Sequence, residues 1–123
     1  MFIFFLSNKA QSVPKGDFRS EFDHALVNTG IEFLTRVEYR LLELSNQIAH
    51  VEKTKDKAEV QQIVDEIEVA LMFARSLEQK VNFELNRTDL NILEQVHFET
   101  LKKMCEIITR DLKNAETKVK AIH

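Results

Sequence analysis

The chain has 123 residues, 44% of them hydrophobic, and a formal net charge of −3. This length fits one domain whose core needs neither disulfides nor metal ions, and two glycines and one proline are too few for a sheet-rich fold. A weakly acidic chain with interspersed charges lacks the basic field that nucleic acids attract, so we expect no nucleic acid among its partners.

The N-terminal residues 1–6 form an apolar run, and a Pro/Gly-containing stretch follows at residues 12–16. Six residues are too few for a membrane span of about 20, and no basic residues precede them as in a secretory signal. Proline and glycine close together mark a linker. We therefore predict an apolar tail and linker over residues 1–16 and a single helical-bundle domain over residues 17–123.

The first predicted helix begins after Asp17, which can cap its N-terminus. Gly30 allows two interpretations: it ends this helix and Thr29 caps a new one, or the helix continues with a kink. Continuation is favoured because Leu26 and Phe33 lie two turns apart on one helix face. An apolar stripe then runs to the polar residues 53–56, through Phe33, Val37, Leu41, Leu44, Ile48 and Val51.

Two further amphipathic helices follow. Asp56 and Glu59 have the spacing of a capping box, which predicts a second helix from about Lys57 to Val81 or slightly beyond. Polar residues 86–89 interrupt the pattern, and Thr88 or Asp89 is the predicted cap of a third helix of some thirty residues. The second stripe contains Val60, Ile63, Ile67, Ala70, Ala74, Leu77 and Val81; the third contains Leu90, Leu93, Leu101, Met104, Ile108, Leu112, Ala115, Val119 and Ile122.

Short polar connections between long helices imply that neighbouring helices are antiparallel. The predicted fold class is therefore all-α, an antiparallel up-down-up three-helix bundle, or a four-helix bundle if residues 18–27 form a separate helix. Phe73, Phe83 and Phe98 lie beside the stripes and are predicted to widen the core. Such wide apolar faces also suit a homodimer that completes its core across a two-fold axis.

Cys105 is the only cysteine and cannot form an intramolecular disulfide. A chain without disulfides suits a reducing compartment, so we predict a cytoplasmic location. Its neighbour Met104 belongs to the third stripe, which favours a packing role for the cysteine over a nucleophilic one.

His50 and Lys53 have the H-x-x-K spacing that resembles histidine phosphotransfer domains, which are also helical bundles. In those domains an exposed imidazole carries the phosphoryl group and the lysine neutralises it. Thr54 stands where that family has glycine, and the acidic Glu52 would repel a phosphohistidine. A phosphotransfer-like signalling protein that uses His50 is therefore the alternative function.

Two other histidine patterns have only one copy each. Glu94 and His97 lie one turn apart, but a di-metal site of the ferritin type needs two such pairs and two further carboxylates. Arg19 and His24 match the R-x4-H spacing of helical toxin ribonucleases, although there the motif lies late in the chain. We therefore predict no catalytic residue, no metal ligand and no cofactor.

Residues 13–16, with the sequence V-P-K-G, precede Phe22 and a helix that carries Arg40. Over residues 13–53 this segment resembles the C-terminal BAG-type domain of the BAG cochaperone family. The remaining matched residues are Leu41, Leu44, Ile48 and Lys53. The resemblance implies binding to the nucleotide domain of a heat-shock chaperone, with Arg40 as a contact. That family has a long helix before the linker, whereas only twelve residues precede it here.

Together these features predict a non-catalytic helical protein-interaction or assembly module, with a cochaperone as its most specific form. An apolar surface would bind a partner helix, and flanking charges would fix its register. The third helix has a basic flank that suits an acidic partner. The predicted partner-binding residues are Arg40, Lys102, Lys103 and Arg110.

Overall fold

The computed structural model describes residues 18–123, with side chains described from residue 23 onward. It contains three α-helices: α1 (Phe18–Thr54), α2 (Lys57–Leu85) and α3 (Ile92–Lys120). At 1.5 Å per residue, the 37 residues of α1 extend about 55 Å. The predicted all-α three-helix bundle is confirmed. The predicted cap Asp17 and the predicted tail and linker at residues 1–16 lie outside the described residues.

The start of α2 is the one that the sequence predicts. Asp56 is its N-cap, and Asp56 Oδ1 accepts hydrogen bonds from the backbone N–H groups of Ala58 at 3.0 Å and Glu59 at 3.3 Å. These bonds satisfy donors that the first helical turn leaves without a partner. The helix ends at Leu85, four residues beyond the minimum predicted.

The predicted cap of α3, Thr88 or Asp89, is wrong. Asn91 is the cap: its side chain accepts from Glu94 N at 2.8 Å, and Glu94 Oε1 accepts from Asn91 N at 3.1 Å. This is a complete capping box two residues later. Asp89 is not the cap because both of its carboxylate oxygens accept hydrogen bonds from Arg87, at 2.9 and 3.0 Å.

Gly30 lies inside α1, which is continuous as predicted. The helix needs a glycine there for space. A Cβ atom on Gly30 would lie 3.0 Å from both terminal methyl carbons of Leu101 and 3.2 Å from Leu77 Cδ1. The missing side chain therefore lets α1 approach the other two helices closely, and this gain offsets the helix propensity that an interior glycine loses.

We expect Gly30→Val to destabilise the bundle by about 1–3 kcal/mol, because three more carbon atoms would enter a packed site. Urea unfolding followed by circular dichroism measures the change. Asn46→Val is the control, since Asn46 is exposed on the same helix and reports only the cost of a β-branched residue. Equal losses in the two variants would contradict the close-packing role of Gly30.

Lys55 connects α1 to α2 in a left-handed backbone conformation, with φ at 58°. Its N–H donates to Val51 O at 2.8 Å, which closes the C-terminus of α1. Glycine usually occupies this position because a side chain strains left-handed backbone.

Lys55→Gly is therefore expected to stabilise the protein by about 0.5–1 kcal/mol, measured as an increase in the urea midpoint. Lys53→Gly removes the same charge two residues earlier, within the last turn of α1, and should destabilise by up to about 1 kcal/mol. A loss of stability in both variants would show that the left-handed residue carries no strain.

The core consists of side chains that recur every three or four residues along each helix, as the sequence predicts. α3 packs extensively on both other helices, whereas α1 and α2 contact each other less. The fully buried large side chains are Leu34, Val51, Ile63, Ile67, Val81, Phe98, Leu101, Leu112 and Val119.

Of the three phenylalanines predicted to widen the core, only Phe98 does so. Phe73 is 54% exposed and Phe83 is 67% exposed. Phe73 contacts Phe33 edge-to-face across the α1–α2 boundary, with ring centroids 6.2 Å apart. The core prediction is wrong for Phe73 and Phe83. Both lie on α2 just outside its apolar stripe, and α3 covers α2 from one side only.

Candidate functional site

The reduced contact between α1 and α2 leaves an apolar groove of about 270 Å³. Its floor is formed by buried side chains of all three helices, among them Leu44, Ile67 and Leu112. Phe33 and Ala70 are half-buried and form parts of its walls. We call this space the α1–α2 groove. Its volume is close to the lower end of the usual range for small-molecule pockets, about 300 Å³.

Polar groups occur only at the edge of the α1–α2 groove. Arg40 donates from Nε and Nη2 to the carboxylate of Glu66, with Nη2 to Oε1 at 2.9 Å, and also donates to Gln47 at 3.1 Å. The hydrogen bond from Arg40 lowers the pKa of Glu66 below its ordinary value. Arg36 is mostly exposed on the same edge and pairs only with Glu32 one turn away, among the described residues.

A second polar centre joins the start of α1 to the connection between α2 and α3. Arg87 Nη1 donates to Asp23 Oδ2 and to Glu84 Oε1, both at 2.7 Å, and the same guanidinium binds Asp89. Asp23 is 2% exposed and Glu84 4%. We call these four residues the Arg87 junction. It links three segments of the chain through charge-assisted hydrogen bonds, which are stronger than neutral ones.

The Arg87 junction was not predicted from the sequence. Asp23 and Glu84 were unremarkable acidic residues in helical segments, and Arg87 was part of a polar interruption. The sequence contains a weak indication of this junction. Asp23, Val27 and Gly30 continue the buried stripe of α1 toward its start, which places a carboxylate at a core position. Buried carboxylates require a partner, and pattern alone does not reveal which cation supplies it.

The predicted partner-binding residues do not form one site. Arg40 lies on α1 and its guanidinium is bound within the bundle, while Lys102, Lys103 and Arg110 lie on α3. Lys103 and Arg110 are exposed, and Arg110 contacts only Asp111 among the described residues. Their partner-binding role stays a prediction.

The three internal histidines, His24, His50 and His97, are all exposed. His50 lies in the last two turns of α1, which ends at Thr54. Within residues 18–123, no group of three or more His, Cys, Asp or Glu side chains is arranged to hold a metal ion. His97 and Glu94 line a small cavity of about 60 Å³ beside Asp23.

Cys105 is fully buried in the core and is a free thiol. Burial raises its pKa to about 11, and the negative charges of Glu78 and Glu106 act in the same direction. The thiolate, which is the reactive form, is therefore scarce at neutral pH. This agrees with the packing role that the sequence predicts. In the part of the chain that the structure describes, no helix could cross a membrane.

Comparison with known proteins gives a consistent result. The family model described as "Mite allergen Blo t 5" matches residues 7–123. Mite allergen Blo t 5 of Blomia tropicalis is 36% identical, over 88% of this chain and 81% of that protein. Mite allergen Lep d 5 of Lepidoglyphus destructor is 39% identical, over 86% of this chain and 96% of that protein. Mite allergen Der f 21.0101 of Dermatophagoides farinae is 38% identical, over 85% and 77% respectively.

These matches overturn the predicted family and function. The resemblance to the BAG cochaperone family is wrong, and so are the chaperone-binding module and the histidine phosphotransfer alternative that uses His50. The BAG resemblance rested mainly on apolar residues such as Leu41, Leu44 and Ile48, whose spacing is common to bundle helices. The family and relatives are described as allergens, and no enzyme is named among them.

The predicted cytoplasmic location is also wrong, since mite allergens are proteins encountered outside the cell. The error came from Cys105, because a lone buried cysteine cannot form an intramolecular disulfide in any compartment and therefore does not distinguish between them. The family model covers nearly the whole chain, and the chain covers most of the length of several relatives. This chain therefore belongs to the Blo t 5 family of mite allergens.

Proposed function

We propose that this chain is itself a mite allergen, a folded protein that IgE antibodies of mite-sensitised people bind. Family membership carries this proposal: three relatives named as mite allergens are 36%, 39% and 38% identical to it. A compact bundle with a fully buried core also presents a fixed arrangement of exposed side chains, which suits binding by preorganised antibodies.

The exposed face of α3 is the antibody contact surface that we favour. Lys103, Ile107 and Arg110 lie at successive helical turns on one side of α3, and Lys102 adjoins them. Ile107 is 45% exposed between two exposed cations. Arginine is among the residues that most often dominate binding energy in protein interfaces, and Ile107 adds apolar contact area beside it. Lys102, Lys103 and Arg110 are also the predicted partner-binding residues of α3, whereas Ile107 was not predicted. Arg40 is less available because Glu66 and Gln47 bind its guanidinium.

IgE binding to the recombinant chain, measured with sera that bind Blo t 5, tests both statements. We expect binding, and we expect Lys103→Glu/Arg110→Glu to reduce it without changing the melting temperature. Lys113→Glu/Lys118→Glu makes the same charge change at other exposed positions of α3 and should have a smaller effect. Sera that bind Blo t 5 but not this chain would refute the allergen proposal. Equal binding by both variants would refute the choice of surface alone.

The α1–α2 groove favours a second, molecular function: non-enzymatic binding of a small amphipathic ligand. The specific observation is an apolar space of about 270 Å³ whose charged groups lie only at its edge. Burial of an alkyl chain against the floor would supply the binding energy, at about 25 cal/mol per Å². At the edge, Arg36 is exposed, so it can bind an anionic head group. The proposed ligand is therefore a carboxylate with an apolar tail.

Titration calorimetry with dodecanoate tests this function. We expect binding that Ala70→Phe abolishes, because a phenyl ring at that position would fill the groove. Ala58→Phe adds the same ring at an exposed position near the start of α2 and should leave binding unchanged. Arg36→Gln should weaken the binding of dodecanoate but not that of dodecanol. No heat signal with either ligand, or equal binding by Ala70→Phe, would refute the proposal.

The predicted homodimer stays a proposal as well. Met72 is more than half exposed next to the exposed Phe73, so this side of α2 offers apolar area to a second copy. Light scattering distinguishes the 14.4 kDa monomer from a dimer of twice that mass. A monomer at all concentrations would refute the homodimer without affecting either function proposed above.

A further inference from the structure

Asp23 is a buried carboxylate with only half of its hydrogen-bonding capacity used. Its Oδ2 accepts from Arg87, whereas its Oδ1 is buried without a hydrogen-bond partner among the described residues. Glu94, at the start of α3, lines the same cavity of about 60 Å³ as Asp23, and its carboxyl is a hydrogen-bonding neighbour that raises the pKa of Asp23. Two ionised carboxylates only accept, so neither can donate to the other. One proton would convert this repulsive pair into a hydrogen bond.

The charges around Asp23 favour uptake of that proton. Asp23 and Glu84 are both buried and bind the same nitrogen of Arg87, so Asp23 shares this cation with a second carboxylate, and the neighbouring carboxyls of Glu84 and Glu94 both favour the protonated form of Asp23. Repulsion between like charges at a buried position favours protonation of one of them. Among the residues whose side chains are described, the titratable and charged groups that face Asp23 or line its cavity are His24 on α1, Glu84 on α2, Arg87 and Asp89 in the α2–α3 connection, and Glu94 and His97 on α3.

We propose that the Arg87 junction is an acid-stabilised contact. In it Asp23 is protonated on Oδ1, and this O–H group donates a hydrogen bond to the carboxylate of Glu94. The proton comes from solvent, and no bond between heavy atoms changes. In weak acid this hydrogen bond joins α1 to the first turn of α3, while Arg87 continues to join α1 to the end of α2. At higher pH the proton leaves and the two carboxylates repel each other.

The direction of the effect follows from the pKa of Asp23. Burial raises this pKa from its ordinary value of 3.8 to about 6; Arg87 opposes the increase, and Glu84 and Glu94 reinforce it. Between these two values the folded chain binds a proton that the unfolded chain releases. The stability that Asp23 contributes is therefore fully present below about pH 4 and is lost as the pH rises through about 6.

Two measurements on the full chain test the proposal. The first is NMR titration of the Asp23 carboxyl carbon, assigned by its loss in Asp23→Asn, with an expected midpoint near 6. The second is the melting temperature, which should be about 5 °C higher at pH 5 than at pH 7.5 in the unmodified chain. Asp23→Asn should abolish this difference, because its amide donates to Glu94 at every pH while its carbonyl oxygen still accepts from Arg87.

Two control variants separate Asp23 from other titrating groups. Asp65→Asn removes an exposed carboxylate of α2, and its melting temperature should still be about 5 °C higher at pH 5 than at pH 7.5. His24→Asn/His97→Asn removes both imidazoles that line the cavity and should also keep it. A carboxyl midpoint near 4, or an unchanged pH dependence in Asp23→Asn, would overturn the proposal. If Asp23→Asn does not fold, the Asp23 carboxyl signal of the unmodified chain is assigned through neighbouring residues in sequence. Its titration midpoint then tests the proposal by itself.

Discussion

We expect Ile67→Asp to unfold the domain. Ile67 is fully buried in the middle of α2, where it contributes to the core and to the floor of the α1–α2 groove. An aspartate there would place a carboxylate without a partner among apolar side chains, at a cost of several kcal/mol. The free energy of unfolding of a domain of this size is only about 5–15 kcal/mol, so the destabilisation by Ile67→Asp is comparable to the entire stability of the domain. Circular dichroism and thermal melting measure the result.

Val69→Asp is the matched control, because Val69 lies two residues further along α2 and is half exposed. Its new carboxylate stays in water, so the change in stability should be below about 1 kcal/mol. If Ile67→Asp kept the helical signal and the melting temperature of the unmodified chain, the packing of α2 described above would be incorrect.

The fold was predictable from sequence because its main determinant is periodic. Apolar residues at steps of three and four define the buried face of each helix, and a single polar break with a capping residue marks the start of α2 at Asp56. Gly30 illustrates the limit of this reasoning. Its position within a continuous helix was predicted from the apolar pattern, but its close approach to Leu101 depends on how the helices are placed in three dimensions.

Two features were missed because they depend on which partner a side chain binds. Asp89 is a suitable helix cap, yet Arg87 binds both of its oxygens, so the cap is Asn91. No role was predicted for Asp23, which occupies a core position and binds Arg87, a cation 64 residues away in sequence. Local patterns describe what a residue can do, whereas these outcomes depend on which partner its side chain binds in the folded chain.

The second large effect concerns Arg87. We expect Arg87→Met to destabilise the bundle by about 3–5 kcal/mol, because it leaves Asp23 and Glu84 buried without their cation. Methionine keeps the apolar stem of the side chain, so the loss reports the charge and its hydrogen bonds. Arg87→Lys should recover only part of the stability, since one ammonium group cannot reproduce the geometry with which the guanidinium binds three carboxylates.

Urea unfolding at pH 7.5 measures the loss, and Arg36→Met is its control. Arg36 and Glu32 form an exposed pair one helical turn apart, so their separation should cost no more than about 1 kcal/mol. The deficit of Arg87→Met should shrink at pH 5, because Asp23 then carries a proton and needs a cation less. Equal losses for Arg87→Met and Arg36→Met would mean that the buried carboxylates are stabilised by something other than Arg87. A large loss that is the same at both pH values would assign the effect to Glu84 instead of Asp23.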